Sequence, residues 1–217
     1  MTTVYQTGQD RTVFTYDDGG RLVSSDFSYT PTGPHGNPPY SYSIRYYFST
    51  DHNPDSILSS LNPDGTKYII YDHLRRPVLV RSAAGDTMKL EYNDSGQLRR
   101  CLFREPFIPA RWDTIQYWYP NSTTMNYDST VTTSLVYQRI HRSFTYDDHP
   151  NPFTGLPFGF EFGGTDNNIK RIQSVYAMGG THVREFTYGY DTSGRVVTRS
   201  DIFQGTQTIL RFDYTCP

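Results

Sequence analysis

The sequence predicts an all-β protein: a wide antiparallel meander of hairpin repeats, forming a coiled single sheet or an open barrel-like roll. Three observations carry this. The strong helix formers Ala, Glu and Lys number 4, 4 and 3 in 217 residues. That is too few for an all-α chain or for the crossover helices of a doubly wound fold. Thr, Tyr and Phe number 26, 19 and 13, and they fit a pleated, half-buried surface. Alternating apolar and polar runs are broken by turn residues every eight to twelve positions. Helix content under about a tenth is expected.

The elements follow in order. Arg11 to Tyr16 alternates, breaks at Asp17-Asp18-Gly19-Gly20 and resumes from Arg21 to Phe27, which makes a hairpin. Thr30 to Pro39 holds four Pro and two Gly and is a loop. Tyr40 to Ser49 is the next strand, and parity puts Tyr42, Tyr46 and Phe48 on one face, read as core. After a turn at Asp51 to Pro54, Ile57 to Leu61 leads into Asn62-Pro63-Asp64-Gly65, read as a turn. Lys67 to Tyr71, Pro77 to Arg81, Thr87 to Tyr92 and Gln97 to Phe103 form a regular meander. Its last turns are 83–86 and 93–96.

The centre is less regular. Pro106, Pro109 and Pro120 interrupt 104–126, the segment with both tryptophans. Val131 to Tyr146 is one long strand or a pair. Asp147 to Gly164 is a Pro- and Phe-rich excursion with room for one short helical turn. Ile169 to Ala177, His182 to Tyr190, Arg195 to Phe203 and Thr206 to Thr215 close the chain as a four-strand meander. Nothing reads as a linker, so residues 1–217 are taken as one domain. The alternative is a division near 105–125.

A degenerate repeat runs through these hairpins. Phe14-Thr-Tyr-Asp-Asp-Gly-Gly-Arg-Leu22 recurs as Leu90 to Leu98 and as Tyr188 to Val196, with decayed copies at Ile69 to Pro77 and Phe144 to Pro152. Tyr closes the incoming strand, Asp or Asn bonds its own backbone, and Gly takes the positive-φ position. Arrays of this kind bury a core only by stacking side by side. The motif resembles the YD repeat of Rhs-type shell proteins and teneurins. More closely, the chain resembles YD-repeat-like surface lipoproteins of Bacteroidota, in which Tyr146-Asp-Asp-His-Pro-Asn-Pro-Phe153 is similar to a typical Tyr-Asp-x-x-x-Asn-Pro-Phe element. The resemblance implies export to the outer membrane surface, periplasm or extracellular space, and a wide coiled sheet. It carries over no catalytic residues. The lipobox cysteine of that group is absent at the N-terminus, so a lipid anchor would lie upstream of Met1.

The charge and targeting signals are muted. A net charge of −2 and pI near 6.3 leave no electrostatic footprint for nucleic acid. Arg outnumbers Lys 17 to 3, which reads as a decorated sheet surface. No 18-residue apolar run marks a transmembrane helix, and Met1 to Tyr5 lacks the charged and apolar regions of a signal peptide. Cys101 and Cys216 are read as small buried hydrophobes, or as one disulfide in an oxidising compartment.

Chemistry-bearing constellations are sparse. Six histidines are scattered without ligand spacing, so no metal site or cofactor is expected. There is no nucleophile elbow and no phosphate-binding glycine loop. Asp17-Asp18 and Asp147-Asp148 lack the alternating oxygens of a calcium loop and read as solvated turns. Only the aromatics are in excess. Trp112, Tyr117, Trp118 and Tyr119 crowd ten residues bounded by prolines. On a strand, Trp112 and Trp118 face one side, Tyr117 and Tyr119 the other. The exposed pair is the candidate contact for a glycan or protein ligand. The expected function is therefore a non-enzymatic surface binding module. A purely structural sheet is the alternative, and an enzyme with an unrecognised site is the third reading.

Overall fold

A computed structural model describes residues 5–31, 38–49, 53–82, 85–104, 112–134, 138–151, 165–204 and 206–215. Strands and turns make up these residues, and no helix occurs among them. The first hairpin joins β1 (Tyr5–Tyr16) to β2 (Leu22–Pro31) around Asp17 to Gly20. Then come β3 (Tyr40–Tyr47), β4 (Ser56–Ser59), β5 (Asn62–Tyr71), β6 (Pro77–Ser82), β7 (Thr87–Tyr92) and β8 (Leu98–Arg104). The irregular centre contributes β9 (Asp113–Trp118), and the long Thr-bearing segment is a pair, β10 (Ser129–Ser134) and β11 (Gln138–Pro150). The closing meander is β12 (Asn167–Tyr176), β13 (Thr181–Tyr190), β14 (Val196–Phe203) and β15 (Thr206–Thr215).

Each strand pairs with its chain neighbours, and β1 also pairs with β15, so the ladder returns to its start as a closed barrel. That seam is parallel, whereas the sequential pairs are antiparallel. The strand number explains it. In a meander every odd-numbered strand runs the same way, so the fifteenth meets the first in parallel. The coiled sheet is what the sequence predicts; the seam that joins its ends is an addition.

Most of the buried apolar residues share the inward face. Phe14, Tyr46, Ile57, Ile69, Val80, Leu90 and Cys101 form one core cluster, with Val196 from the far side of the sheet. Tyr16, Tyr71, Tyr92, Tyr117 and Tyr190 pack against it. Ile169, Ile172 and Phe186 make a second cluster. Tyr46 is buried and Phe48 packs on the core, while Tyr42 stacks on Phe27 at 4.9 Å.

The repeat turns are stabilised from the side chain outward. Asp17 Oδ1 accepts the N–H groups of Gly19 and Arg21 at 3.0 and 2.9 Å, and Oδ2 accepts Arg21 Nε at 2.6 Å. Asp72 with Arg76 and Asp191 with Arg195 repeat the fork. Gly20, Gly96 and Gly194 hold φ of 76°, 83° and 78°. Arg75 stands in the same slot of its turn at φ 61°.

Two local expectations are corrected. Asn62 to Gly65 does not make the reversal: Ser60 and Leu61 do, with Ser59 opposite Asn62. Between Ser59–Asn62 and Ile57–Lys67 the partner strand has fewer residues, so the Pro-Asp-Gly stretch is absorbed as a bulge within β5. Asp147 to Pro150 continues β11 instead of opening a loop; the rest of the excursion, where the helical turn was expected, falls largely outside the described residues. Cys101 is a free thiol buried as a small hydrophobe, the first of the two readings given above; Cys216 lies outside the described residues.

Candidate functional site

The aromatic segment divides by parity as the sequence predicts, and the structure assigns the faces. Ile115 and Tyr117 point into the barrel and pack on the core. Burial drives the Tyr117 hydroxyl far above its ordinary pKa, with Cys101 the next contribution. The Tyr119 hydroxyl, also raised chiefly by burial, donates to the Leu98 carbonyl at 3.1 Å. Tyr127 meets Tyr117 and Tyr119 edge-on at 5.3 and 6.2 Å. Tyr117 and Tyr119 are therefore structural.

The tryptophans lie on the outer face. Trp118 is 43% exposed. Trp112 is half-buried beneath two cations: Lys89 Nζ lies 4.8 Å and the Arg104 guanidinium carbon 5.7 Å from its ring centroid. Six positions of strand separate the two rings, about 20 Å, so they do not form one stacking platform. Thr114 and Gln116 lie between them on that face.

The outer face mixes charged and apolar residues at mid-strand, with Tyr68 and Ile70 exposed beside the charges. It carries Arg45, Lys89, Glu91, Arg100, Arg171 and Glu185, all opposite in parity to core residues. Glu91 and Arg100 form a forked pair at 2.8 and 2.9 Å. In a lipid-facing band each Arg or Lys would cost about 2–4 kcal/mol at the bilayer midplane. These charges do not suit the apolar band of a membrane barrel. In addition, no helix among the described residues is long and apolar enough to cross a membrane.

At the end opposite the repeat turns the lumen opens into a cavity of about 700 Å³. Val80, Met88, Phe103, Ile115 and Ile140 give it an apolar floor, and Lys67, Asp86, Arg104, Asp113, Arg142 and Tyr176 supply polar groups. Arg142 Nη1 donates to Thr132 Oγ1 at 2.7 Å. Size and lining suit a small-molecule site. Sequence reasoning missed it. The signal was present in β11, where Arg142 interrupts the inward series Ile140, Phe144 and Tyr146.

The histidines do not converge. His149 stacks on Tyr190 at 4.1 Å and pairs with Asp148 at 3.0 Å. Tyr190 donates to Asp147 Oδ2 at 2.5 Å, and Asn168 Nδ2 contacts the same hydroxyl at 3.1 Å. His182, at the other end of β13 from Tyr190, contacts Gln204 at 2.8 Å. No group of three His, Cys, Asp or Glu side chains among the described residues could hold a metal ion.

No known family model matches the chain, and no curated protein matches it. Among solved structures, it is similar to a porin-like protein from Bacteroides uniformis, with TM-score 0.56 and 12% identity, covering 90% of this chain and 85% of that one. At that identity the likeness shows the fold alone. The Photorhabdus luminescens Tc holotoxin pore also matches, with TM-score 0.29 and 14% identity over 89% of this chain and 12% of that chain.

Proposed function

We propose that the chain is an exported, non-enzymatic cell-surface binding module whose ligand is a glycan or a protein. The observation that carries this reading is the outward position of Trp118, 43% exposed at the end of β9, with Trp112 half-buried just before that strand, while the inward neighbours Ile115 and Tyr117 complete the core. An exposed indole is a large, rigid contact with a polar edge, suited to a sugar ring or a partner surface. The exported setting is supported by the YD-repeat resemblance, and a lipid anchor upstream of this sequence belongs to the same proposal. The porin-like description of the Bacteroides structure is not carried over, because a charged outer face does not suit a lipid boundary.

A second reading, a purely structural shell, is favoured by one observation: the recurring chemistry of the hairpins is spent internally, as in Asp72 with Arg76 and Tyr92 with Pro77. A glycan array separates the two. Trp112→Ala with Trp118→Ala is expected to keep the melting temperature and lose array binding by about tenfold, equivalent to ~1.4 kcal/mol. An array on which the intact chain binds nothing, or binds as well without both indoles, supports the shell.

A further inference from the structure

We propose that the outer surface of β3 to β9 is a belt for an anionic polysaccharide, a polymer of carboxylate- or sulfate-bearing sugars. The proposal rests on the binding-module reading and names its ligand class. Register defines the belt. Tyr47 pairs with Ser56, Ser56 with Tyr68, Tyr68 with Arg81, Arg81 with Thr87 and Thr87 with Arg104. Cross-strand partners share a face. Their chain neighbours Tyr46, Ile57, Ile69, Val80 and Phe103 pack in the core, so this row points outward. Trp112 continues it beyond Arg104. A second outward row, Ile70, Leu79, Lys89 and Leu102, lies beside it.

The chemistry is one-sided. Tyr47 and Tyr68 are 47% and 55% exposed and offer ring faces, while Trp112 holds Lys89 and Arg104 over its ring. Arg45, Arg81, Lys89 and Arg104 supply positive charge, and no ion pair among the described residues holds any of them. Of the nearby carboxylates, Glu91 is neutralised by a cation, while Asp86 and Asp55 keep their charge against neutral donors. Glu91 is forked by Arg100, Asp86 accepts from Ser82 Oγ at 3.2 Å, and Asp55 accepts from the Ser49 N–H.

Geometry favours a polysaccharide over single-stranded nucleic acid. From β3 to β9 the belt spans about 29 Å, with the rings of Tyr47, Tyr68 and Trp112 about 10 and 19 Å apart. Successive stacked bases need rings closer together. Sugars contacting a ring at intervals, with cations between, match that spacing.

The test uses the full chain with polygalacturonate, neutral dextran and an oligothymidylate, compared by affinity electrophoresis. Polygalacturonate is expected to bind about tenfold more tightly than dextran and to weaken steeply as salt shortens the screening length. Arg81→Gln with Lys89→Gln should weaken it about tenfold, while Lys170→Gln on β12 leaves it unchanged. Melting curves confirm that each variant folds. Equal binding of polygalacturonate and dextran, or binding indifferent to the Arg81 and Lys89 changes, overturns the belt. So does preference for the oligothymidylate, or retardation by none of the polymers. The module reading fails separately, through the tryptophan variants on the array.

Discussion

The Tyr92 hydroxyl donates to the carbonyl of Pro77 at 2.9 Å, reaching back to the start of β6 in the preceding unit. The same backward reach joins Tyr71 to Pro54 at 2.8 Å, Tyr119 to Leu98 at 3.1 Å, Tyr146 to Tyr127 at 2.5 Å and Tyr188 to Ile169 at 2.7 Å. Tyr71, Tyr92 and Tyr146 of the repeat, and Tyr119 and Tyr188 beside it, therefore bolt one hairpin to the strand before. This is why a lone hairpin of this sequence is incomplete. Tyr92→Phe keeps the ring and leaves the Pro77 carbonyl unpaired, an expected loss of about 1–2 kcal/mol. Urea midpoints measure it, with the outward Tyr47→Phe as the unchanged reference. Equal midpoints for both variants would remove the bolt from the account.

Alkali should unfold the barrel through the same residues. Burial is the main cause that pushes the hydroxyls of Tyr46, Tyr71 and Tyr92 from 10.0 up to about 12. A raised folded-state pKa means the native protein holds the proton more tightly than the unfolded chain. The stabilisation is complete below pH 10 and is lost as pH rises from 10 toward 12. Melting temperature should fall through that window, together with tyrosinate absorbance. A melting temperature flat across it would contradict the burial of these rings.

The turn after Tyr71 carries local strain that can be relieved. Arg75 holds φ 61° where the equivalent residues are Gly20, Gly96 and Gly194. A left-handed non-glycine residue costs about 1–2 kcal/mol, partly offset by the lower entropy of its unfolded chain. Arg75→Gly should therefore raise stability by about 0.5–1 kcal/mol, and Gly96→Val should lower it by about 1–2 kcal/mol. Thermal or urea denaturation reads both, and equal shifts in one direction would refute the alignment of the turns.

What the sequence made legible was local. Asp17 to Gly20, Asn93 to Gly96 and Asp191 to Gly194 act as turns because each side chain bonds its own backbone. Non-local physics was hidden. The Asn62 to Gly65 stretch has turn chemistry, yet pairing of Ser59 with Asn62 places the reversal earlier. Gln97 looks like a weakened copy of the repeat arginine, but its Nε2 donates to the carbonyls of Asn121 and Thr124 at 2.8 and 2.6 Å, fixing a distant loop. Parity separated Trp118 from Tyr117 but could not say which faced water, because that depends on which way the sheet curls. The cavity and the parallel seam depend on closure, which no short window encodes.

Acid should act on the turns. Asp17 has its pKa lowered below 3.8 chiefly by the side-chain bond from Arg21, Asp72 chiefly by the backbone bond from Arg76, and Asp191 chiefly by that from Arg195. A depressed folded-state pKa gives stability that is present above the unfolded value and lost as pH falls below it. Melting temperature should decline as pH drops below about 4. The triple variant Asp17→Asn, Asp72→Asn, Asp191→Asn should melt lower at neutral pH and show a shallower acid decline. An acid limb as steep as that of the unaltered chain would place the titrating groups elsewhere.

Cys101 offers a probe of the core itself. It is 3% exposed on β8 and carries a thiol that burial pushes up to about 12. The thiolate is the reactive form, so a buried, high-pKa thiol is inert at neutral pH. In a Cys216→Ser background, native protein should resist a thiol reagent at pH 8 and react fully in urea. The reaction rate under native conditions should then track unfolding, rising in step with denaturant as the β7–β8 hairpin opens. Tyr92→Phe, which loosens that hairpin at its turn end, should accelerate labelling by the factor its lost stability implies, roughly tenfold for ~1.4 kcal/mol. Rapid stoichiometric labelling of the native chain would show that the lumen beside Leu90 is open to water, and the packed core would have to be redrawn.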